Sequence, residues 1–243
     1  MTISADFCVP PPAVVAVPVV GSSQLFPVHR VYCVGRNYEE HAKEMGFTGR
    51  EPPFFFLKPA DAVVAVAAGQ TGRVHYPSLT RNLHHEVELV VAIGRGGRDI
   101  RAEDALDHVL GYAVGLDLTR RDLQTDMKKQ GRPWCIGKAF DESAPMGPIT
   151  PADQVPAIHS ADIELTVNGQ PRQASGIDRL IWSVAETIAH LSQAWTLQPG
   201  DLIFTGTPEG VAAVQPGDVL SAHITGLAPL QLTIDPPLAA LDS

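Results

Sequence analysis

The stretch RNLHHEVELVVAIG, residues 81–94, places two histidines and two glutamates at the head of an apolar run. Successive side chains of a strand point to opposite faces, so His84, Glu86 and Glu88 would share one face while alternate residues from Val87 onward form the other. Two carboxylates about 7 Å apart on one face repel each other and raise one pKa unless a cation lies between them. The stretch therefore predicts a strand with one core face. Its other face either binds a divalent cation or is the charged, solvated side of an edge strand.

A third carboxylate favours the cation site. Residues 109–117 have the pattern of a second strand that ends at Asp117, and the small residues Gly111 and Gly115 on the same face leave room for a ligand. Three carboxylates without a thiolate suit Mg²⁺, Mn²⁺ or Ca²⁺ better than Zn²⁺. The two adjacent histidines keep zinc as an alternative, although histidines of this kind are more often structural.

The charge balance of the chain argues against several classes of partner. Its 243 residues carry 27 acidic and 18 basic side chains, a formal net charge of −9, so we expect no binding to nucleic acid or to an anionic membrane. An anionic small-molecule substrate would need a local cationic site. Three widely spaced cysteines, Cys8, Cys33 and Cys135, predict a reducing cytoplasm. The N-terminal residues lack the basic region of a signal peptide, and no apolar stretch reaches the ~20 residues of a membrane span.

Turn residues divide the chain into short elements. The 21 glycines and 21 prolines bound apolar runs of strand length, and Asn168-Gly169 predicts a hairpin. Two QPGD motifs, at 198–201 and 215–218, predict turns that lead into strands. The apolar spacing over residues 178–195 predicts the clearest helix.

These elements indicate a β-rich α+β fold in which short helices pack against mixed sheets. We predict a proline-rich N-terminal arm or strand over residues 1–24, followed by a single catalytic domain over residues 25–243.

A second group of titratable residues lies in GRNYEEHAKEMG, residues 35–46. On a helix, His41 and Glu44 would face the same way. A glutamate that holds one imidazole nitrogen leaves the other free to act as a general base near neutral pH. The flanking glycines would allow the segment to move as a lid. The alternative is a solvated helix with an incidental pair.

Polar and cationic side chains are concentrated in residues 119–140, which include Arg121, Gln124 and Lys138. In an acidic protein this local cluster suits carboxylate ligands, although an ordinary amphipathic helix would have a similar pattern. Lys138 is the less ordinary member because it lies in the apolar context CIGKAF. The later turn FTGTPEGV, which contains Thr207, offers hydroxyl and backbone N–H groups to an anion.

Together these segments resemble the fumarylacetoacetate hydrolase family, in particular its small acylpyruvate and fumarylpyruvate hydrolases. The stretches that carry the resemblance are VYCVGRNYEEHAKEMG, FFFLKP, LHHEVELVVAIG, GYAVGLDLTRRDLQ, GRPWCIGKAFD and PGDLIFTGTPEGV. They occur in the family's order and cover the chain from about residue 25 to 220.

The resemblance implies mixed sheets rolled around the active site and a homodimer. It implies a metal site for Mg²⁺ or Mn²⁺, a catalytic group that activates water and stabilises the oxyanion, and a substrate-binding group at the α-keto acid end. The implied metal ligands are Glu86, Glu88 and Asp117. The implied catalytic residues are His41, Glu44 and Lys138, and the implied substrate-binding residues are Arg121, Gln124 and Thr207.

The implied activity is hydrolysis of the carbon–carbon bond of a 2,4-diketo acid in aromatic-compound catabolism, with fumarylpyruvate giving fumarate and pyruvate. A fumaryl tail would need a second cation, for which Arg36, Arg50, Lys58 and Arg132 are candidates. One alternative is an oxaloacetate decarboxylase or a hydroxymuconate-type isomerase or decarboxylase of the same family. Another is a non-catalytic module that binds a divalent metal or a small acid.

Overall fold

Short strands make up most of the regular structure in the computed structural model, which describes residues 7–39 and 50–239. In chain order the described strands are β1 (Ala16–Pro18), β2 (Leu25–Pro27), β3 (Val31–Gly35), β4 (Phe54–Lys58), β5 (Val63–Ala65), β6 (Thr71–His75), β7 (Leu83–His84), β8 (Val87–Ile93), β9 (Val109–Leu116), β10 (Thr119–Arg120), β11 (Ala144–Met146), β12 (Thr150–Pro151), β13 (Asp162–Val167), β14 (Gln170–Gly176), β15 (Leu202–Phe204), β16 (Ala213–Val214), β17 (Val219–Ile224) and β18 (Leu230–Asp235). The described α-helices are α1 (Arg121–Lys129), α2 (Cys135–Lys138) and α3 (Val184–Ala194). Short 3₁₀ helices lie at Ala60–Ala62, Ala102–His108, Ala152–Gln154, Ile158–Ser160 and Ile177–Arg179. No described helix is long and apolar enough to cross a membrane.

The described strands form one large mixed sheet and three smaller sheets. The large sheet has the order β4-β3-β15-β8-β9-β11-β5, with β12 also paired to β9. A five-stranded sheet has the order β14-β13-β17-β18-β6, a three-stranded sheet the order β10-β7-β16, and β1 pairs with β2. Most pairs are antiparallel, whereas β3–β15, β5–β11 and β6–β18 are parallel. The predicted β-rich fold of mixed sheets with short helices is confirmed.

Strand β8 lies in the middle of the large sheet and is buried on both faces. Val87 and Leu89 point into the larger of two apolar clusters, as predicted for the core face. Val90, beyond the glutamates on the opposite face, packs into the second cluster with Phe204. The interpretation of this stretch as an edge strand is therefore wrong, because β15 and β9 flank β8 and its side chains are excluded from water.

The small residues on the face of Asp117 make room for the second core and not for a ligand. A Cβ atom at Gly115 would lie 2.5 Å from Val90 Cγ2 and 2.7 Å from Phe204 Cε1. At Gly111 it would lie 2.3 Å from a backbone carbonyl oxygen. The expectation that these glycines open space for a ligand is corrected, because close packing of the sheet already uses that space.

The N-terminal segment is joined to the large sheet within the described residues. Val17 in β1 is fully buried in the second apolar cluster, together with Phe26 in β2. Val20 N–H donates to the Ile149 carbonyl at 2.8 Å. The division into an arm over 1–24 and a domain over 25–243 stays a prediction, and these contacts place part of the arm against the domain's core.

Both QPGD turns use the same local chemistry. Gly200 and Gly217 adopt φ values of +99° and +94°, a conformation that favours glycine. Each turn closes when its aspartate accepts a hydrogen bond from the glutamine N–H, at 2.8 Å for Asp201 and 2.7 Å for Asp218. The predicted turns are confirmed, and each leads into a strand, β15 or β17.

The predicted hairpin is confirmed, whereas the predicted helix begins later than expected. Asn168 and Gly169, with φ values of 52° and 74°, connect β13 to β14. Helix α3 begins at Val184 and not near residue 178, because Ser183 and Glu186 form a capping box.

Candidate active site

The pairing of β8 with β9 brings three buried carboxylates together. Glu86 directly precedes β8, Glu88 lies within it, and Asp117 directly follows β9. Asp117 N–H donates to the Glu86 carbonyl at 2.9 Å, which holds the two chain segments side by side. Ligand oxygens of the three side chains all lie within 4.8 Å of one another. The structure thus brings the predicted metal ligands together, and their role as ligands stays a prediction.

The electrostatics of this triad fit a divalent cation. Burial raises the pKa of Glu88 well above its usual range, and the negative charges of Asp117 and Glu86 raise it further. Gly206 N–H donates to Glu88 Oε2 at 2.8 Å. Within residues 7–39 and 50–239 no cationic side chain forms an ion pair with Glu88. Buried carboxylate oxygens at this spacing are ligands that suit Mg²⁺ or Mn²⁺.

Lys138, at the end of α2, neutralises part of the carboxylate charge. Its ammonium donates to Glu86 Oε2 at 2.7 Å, to Asp117 Oδ2 at 2.5 Å and to Thr119 Oγ1 at 2.7 Å. Burial lowers the pKa of Lys138, but Asp117 and Glu86 outweigh burial and leave that pKa raised. All three ammonium hydrogens are engaged here. The predicted role of Lys138 at a developing oxyanion requires it to release one of these acceptors and stays a prediction.

Lys58, the last residue of β4, contacts the other oxygen of Asp117. Its ammonium lies 2.8 Å from Asp117 Oδ1 in a fully buried ion pair. It also donates to the Leu118 carbonyl at 3.2 Å and to the Lys138 carbonyl. Lys58 therefore balances the charge of Asp117 from behind the triad.

Arg121 and Gln124, one turn apart on α1, form the cationic and amide side of the site. Arg121 donates to Glu86 Oε1 through Nη2 and to Gln124 Oε1 through Nη1, the latter at 2.5 Å. Since its oxygen accepts from Arg121, the Gln124 amide NH₂ points elsewhere and donates to no described residue. The pair presents N–H donors suited to a carboxylate.

The loop after β15 is held against the triad by several hydrogen bonds. Thr205 N–H donates to the Leu89 carbonyl at 3.0 Å. Gly206 adopts a φ of +101°, and a Cβ there would lie 2.7 Å from Asn37 Cβ. Thr207 follows, with its Oγ1 2.8 Å from Gln173 Nε2. This loop therefore presents Thr207 at a fixed position beside the carboxylates.

Sequence reasoning assigned no site role to Gln173 or to the side chain of Asn37. The Asn37 amide NH₂ donates to the Thr205 carbonyl at 2.8 Å and to the Trp182 carbonyl at 2.9 Å. Trp182 N–H donates back to Asn37 Oδ1 at 2.8 Å. Asn37 thereby fixes the start of the predicted lid segment to the loop after β15. The contacts span 145 and 168 positions of sequence, so no local pattern indicates them.

Neither histidine of the LHHE motif belongs to the acidic triad. His84 Nε2 lies 3.0 Å from Asn82 Oδ1, and His85 Nδ1 lies 2.9 Å from Gln173 Oε1. Burial, aided by the nearby charge of Arg121, lowers the pKa of His84 to about 4. Their contacts favour the structural interpretation of both histidines over the zinc alternative.

His41 and Glu44, the predicted water-activating pair, lie outside the described residues, and their roles stay predictions. The other predicted site residues line one cavity, together with Arg36, Phe56 and Trp134. The predicted residues that do so are Glu86, Glu88, Asp117, Arg121, Gln124, Lys138 and Thr207.

The fold and sequence match a known family and a solved structure. Residues 30–235 match the fumarylacetoacetate (FAA) hydrolase C-terminal family. A crystal structure of fumarylpyruvate hydrolase from Pseudomonas aeruginosa in complex with Mn²⁺ and pyruvate is 59% identical, with a TM-score of 0.93. The match covers 95% of this chain and 99% of that chain. The resemblance and the fold predicted from it are thereby confirmed.

Characterised relatives have more than one named activity. A fumarylpyruvate hydrolase from a Ralstonia species is 45% identical over 186 residues, covering 76% of this chain and 94% of the relative. The oxaloacetate tautomerase FAHD1 of Rattus norvegicus is 42% identical over 205 residues, covering 84% and 91%. An oxaloacetate decarboxylase of Dictyostelium discoideum is 40% identical over 198 residues, covering 82% and 89%.

Proposed function

Because the chain belongs to the fumarylacetoacetate hydrolase family, we propose that it is a metal-dependent hydrolase that cleaves the carbon–carbon bond of fumarylpyruvate. The observation that carries the proposal is the single cavity in which the acidic triad meets Arg121, Gln124 and Thr207. A metal-binding set alone would serve a simple binding module. Donors suited to an α-keto acid beside it favour a substrate site, and relatives named fumarylpyruvate hydrolase support this substrate.

The residues that line the cavity would bind the α-keto acid end of the substrate. Arg121 and Gln124 bind the carboxylate next to the keto group, and Thr207 donates a further hydrogen bond. Glu86, Glu88 and Asp117 would hold a divalent cation, which would supply a Lewis acid to stabilise negative charge on the keto oxygen. The charge that develops in the transition state is thus met by groups already in position.

Bond cleavage requires a water molecule and an acceptor for its proton. His41, oriented by Glu44, takes a proton from water, and the resulting hydroxide attacks the carbonyl at C4 of the diketo acid. The C3–C4 bond then breaks, releasing fumarate, and its electron pair goes to the pyruvate enolate. His41 returns its proton to C3 of that enolate, which gives pyruvate, and the new carboxyl group of fumarate releases its proton to solvent, so atoms and charge balance.

A substrate panel tests this function. With Mn²⁺ or Mg²⁺, we expect kcat/KM for fumarylpyruvate to exceed that for acetylpyruvate and fumarylacetoacetate by about 10-fold or more. Acetylpyruvate lacks the distal carboxylate, and fumarylacetoacetate has a methylene between its second keto group and its carboxylate, so that this carboxylate is displaced from Arg121 and Gln124. Each rival would therefore lose charge-assisted hydrogen bonds, which contribute about 1.5–3 kcal/mol each. Loss of the diketo acid absorbance measures all three reactions.

Two results would contradict the proposal. Full activity in excess EDTA would exclude the metal, and turnover of oxaloacetate alone would assign the enzyme to another reaction of the family. Conversion of oxaloacetate is the second candidate function, which the oxaloacetate tautomerase and decarboxylase relatives support. Oxaloacetate therefore belongs in the panel, with enol formation and CO₂ release followed separately. A homodimer and a cytoplasmic location also stay predictions.

Of the four cations that could bind the second carboxylate of fumarylpyruvate, Arg36 is the one supported by its position. Arg36 lines the cavity, with its guanidinium 5.1 Å from the centre of the Phe54 ring. Arg50 pairs with Glu186 at 2.5 Å, away from the cavity. Lys58 is buried behind Asp117, and Arg132 is exposed. We therefore propose that Arg36 binds the distal carboxylate.

Arg36→Gln is expected to raise the KM for fumarylpyruvate by about 10–100-fold, because it removes a charge-assisted contact worth about 1.5–3 kcal/mol. The KM for acetylpyruvate, which has no second carboxylate, should change less than about threefold. Arg50→Gln is the matched control and should leave the selectivity unchanged. If Arg36→Gln raised the KM equally for the two substrates, Arg36 would not bind the distal carboxylate.

A further inference from the structure

Gln173 lies on β14, a strand of the five-stranded sheet, and its side chain is almost fully buried. Its side-chain oxygen accepts from Val87 N–H at 3.1 Å and lies 2.9 Å from His85 Nδ1. Its amide NH₂ donates to Thr207 Oγ1 at 2.8 Å and to the Pro208 carbonyl at 2.9 Å. One side chain thus joins the start of β8 to the loop after β15.

The partners of this amide fix its orientation. Val87 N–H can only donate and the Pro208 carbonyl can only accept, so the amide oxygen must face Val87 and the nitrogen must face Pro208. The second amide hydrogen is then directed at Thr207 Oγ1. His85 Nδ1, which faces the same oxygen as Val87, must carry its proton.

This orientation determines what the Thr207 hydroxyl can do. A threonine hydroxyl has one proton to donate and lone pairs to accept with. Gln173 occupies a lone pair, so the proton points away from Gln173. In the part of the chain that the structure describes, Thr207 donates to no acceptor, and the residue lines the cavity of the acidic triad. The hydroxyl proton is therefore available to an acceptor in the cavity.

We propose that Gln173 is a positioning residue that fixes Thr207 as a hydrogen-bond donor to a carboxylate or keto oxygen of the substrate. The inference rests on the proposed function, since it requires an α-keto acid in the cavity. Gln173 itself does not line the cavity. A side chain at position 173 that only accepts would draw the Thr207 proton to itself and turn it away from the cavity.

Gln173→Glu provides that change while keeping an acceptor for Val87 and His85. Burial raises the pKa of a carboxyl group at this position, so binding is measured from about pH 6 to pH 9. Where the carboxylate is ionised, we expect the Kd for pyruvate of the Mn²⁺-loaded variant to rise about 10-fold. The KM for fumarylpyruvate should rise equally, as for loss of one hydrogen bond to a charged acceptor. The kcat should stay within about threefold, because the hydrogen bond from Thr207 would be lost equally from the ground state and the transition state. The Kd for Mn²⁺ should also stay within about threefold.

A double-mutant cycle separates positioning from a structural role. Thr207→Val should raise the pyruvate Kd as much as Gln173→Glu, and the double variant should be no worse than either. Gln170→Glu makes the same substitution at an exposed position of β14 and should bind pyruvate like the wild type. If Gln173→Glu fails to fold, Gln173→Met enters the same cycle.

Additive losses in the cycle, or weaker Mn²⁺ binding with an unchanged pyruvate Kd, would overturn the positioning role. So would a failure of both Gln173 variants to fold, which would make the residue structural. The wild type separates this inference from the proposed function. If the Mn²⁺-loaded wild type binds no pyruvate and cleaves no diketo acid, both are wrong. If it does both and the cycle is additive, only the role of Gln173 is wrong.

Discussion

Glu88→Gln is expected to lower the affinity for Mn²⁺ by at least about 10–100-fold, the loss typical of even indirect changes around a metal site. Activity at limiting Mn²⁺ should fall in parallel. Glutamine has nearly the same shape and can still accept from Gly206 N–H through its amide oxygen, as Glu88 does at 2.8 Å. The fold should therefore survive. Isothermal titration with Mn²⁺ measures the loss directly.

The same substitution should not lower the thermal stability of the metal-free protein. Burial and the charges of Asp117 and Glu86 raise the pKa of Glu88, so ionised Glu88 is destabilising without a cation. The metal-free variant should unfold at a temperature equal to or above that of the metal-free wild type, and added Mn²⁺ should stabilise it much less.

Glu164→Gln, at an exposed position of β13, is the control and should change neither property. A Glu88→Gln variant that binds Mn²⁺ as tightly as the wild type would remove Glu88 from the ligand set. If the metal-free variant were instead less stable than the metal-free wild type, Glu88 would stabilise the fold through its own contacts even without a metal.

The strand and its triad were predictable because the signals are local. Alternation along β8 places Glu86 and Glu88 on one face, and Asp117 ends the next strand. An antiparallel neighbour then brings the start of one strand to the end of the other. What alternation does not specify is the environment of the far face. Only the assembled sheet shows that Val90 and Phe204 fill the space beside Gly115.

The supporting residues were not predictable for the same physical reason. Gln173 lies in the polar segment QPRQAS after a hairpin turn, a pattern that indicates a solvated strand. It is nevertheless buried, because its contacts to Val87 and Thr207 come from segments 86 and 34 residues away. Lys58 is similar, since its ion pair with Asp117 depends on β4 folding beneath the site. Charge compensation is a property of the assembled site.

His41→Ala is expected to reduce hydrolysis of fumarylpyruvate by about 10²–10⁴-fold, the usual contribution of a general base. The Kd for Mn²⁺ should not change, since the acidic triad contains no histidine among the residues that the structure describes. Glu44→Gln should cause a smaller loss, because in the proposed mechanism Glu44 would orient and polarise the imidazole without carrying the proton. Steady-state kinetics with saturating Mn²⁺ measure both, with His223→Ala, an exposed position on β17, as the control.

Decarboxylation of oxaloacetate distinguishes water activation from lid closure. Loss of CO₂ from this substrate forms the same pyruvate enolate but requires no activated water. If His41 acts as the base, His41→Ala should therefore damage any decarboxylase side activity far less than it damages hydrolysis. Both reactions should be measured on one preparation, so that differences in folding or metal content cancel. Equal losses would mean that His41 acts through closure of its segment or through substrate binding, and its role as the general base would have to be dropped.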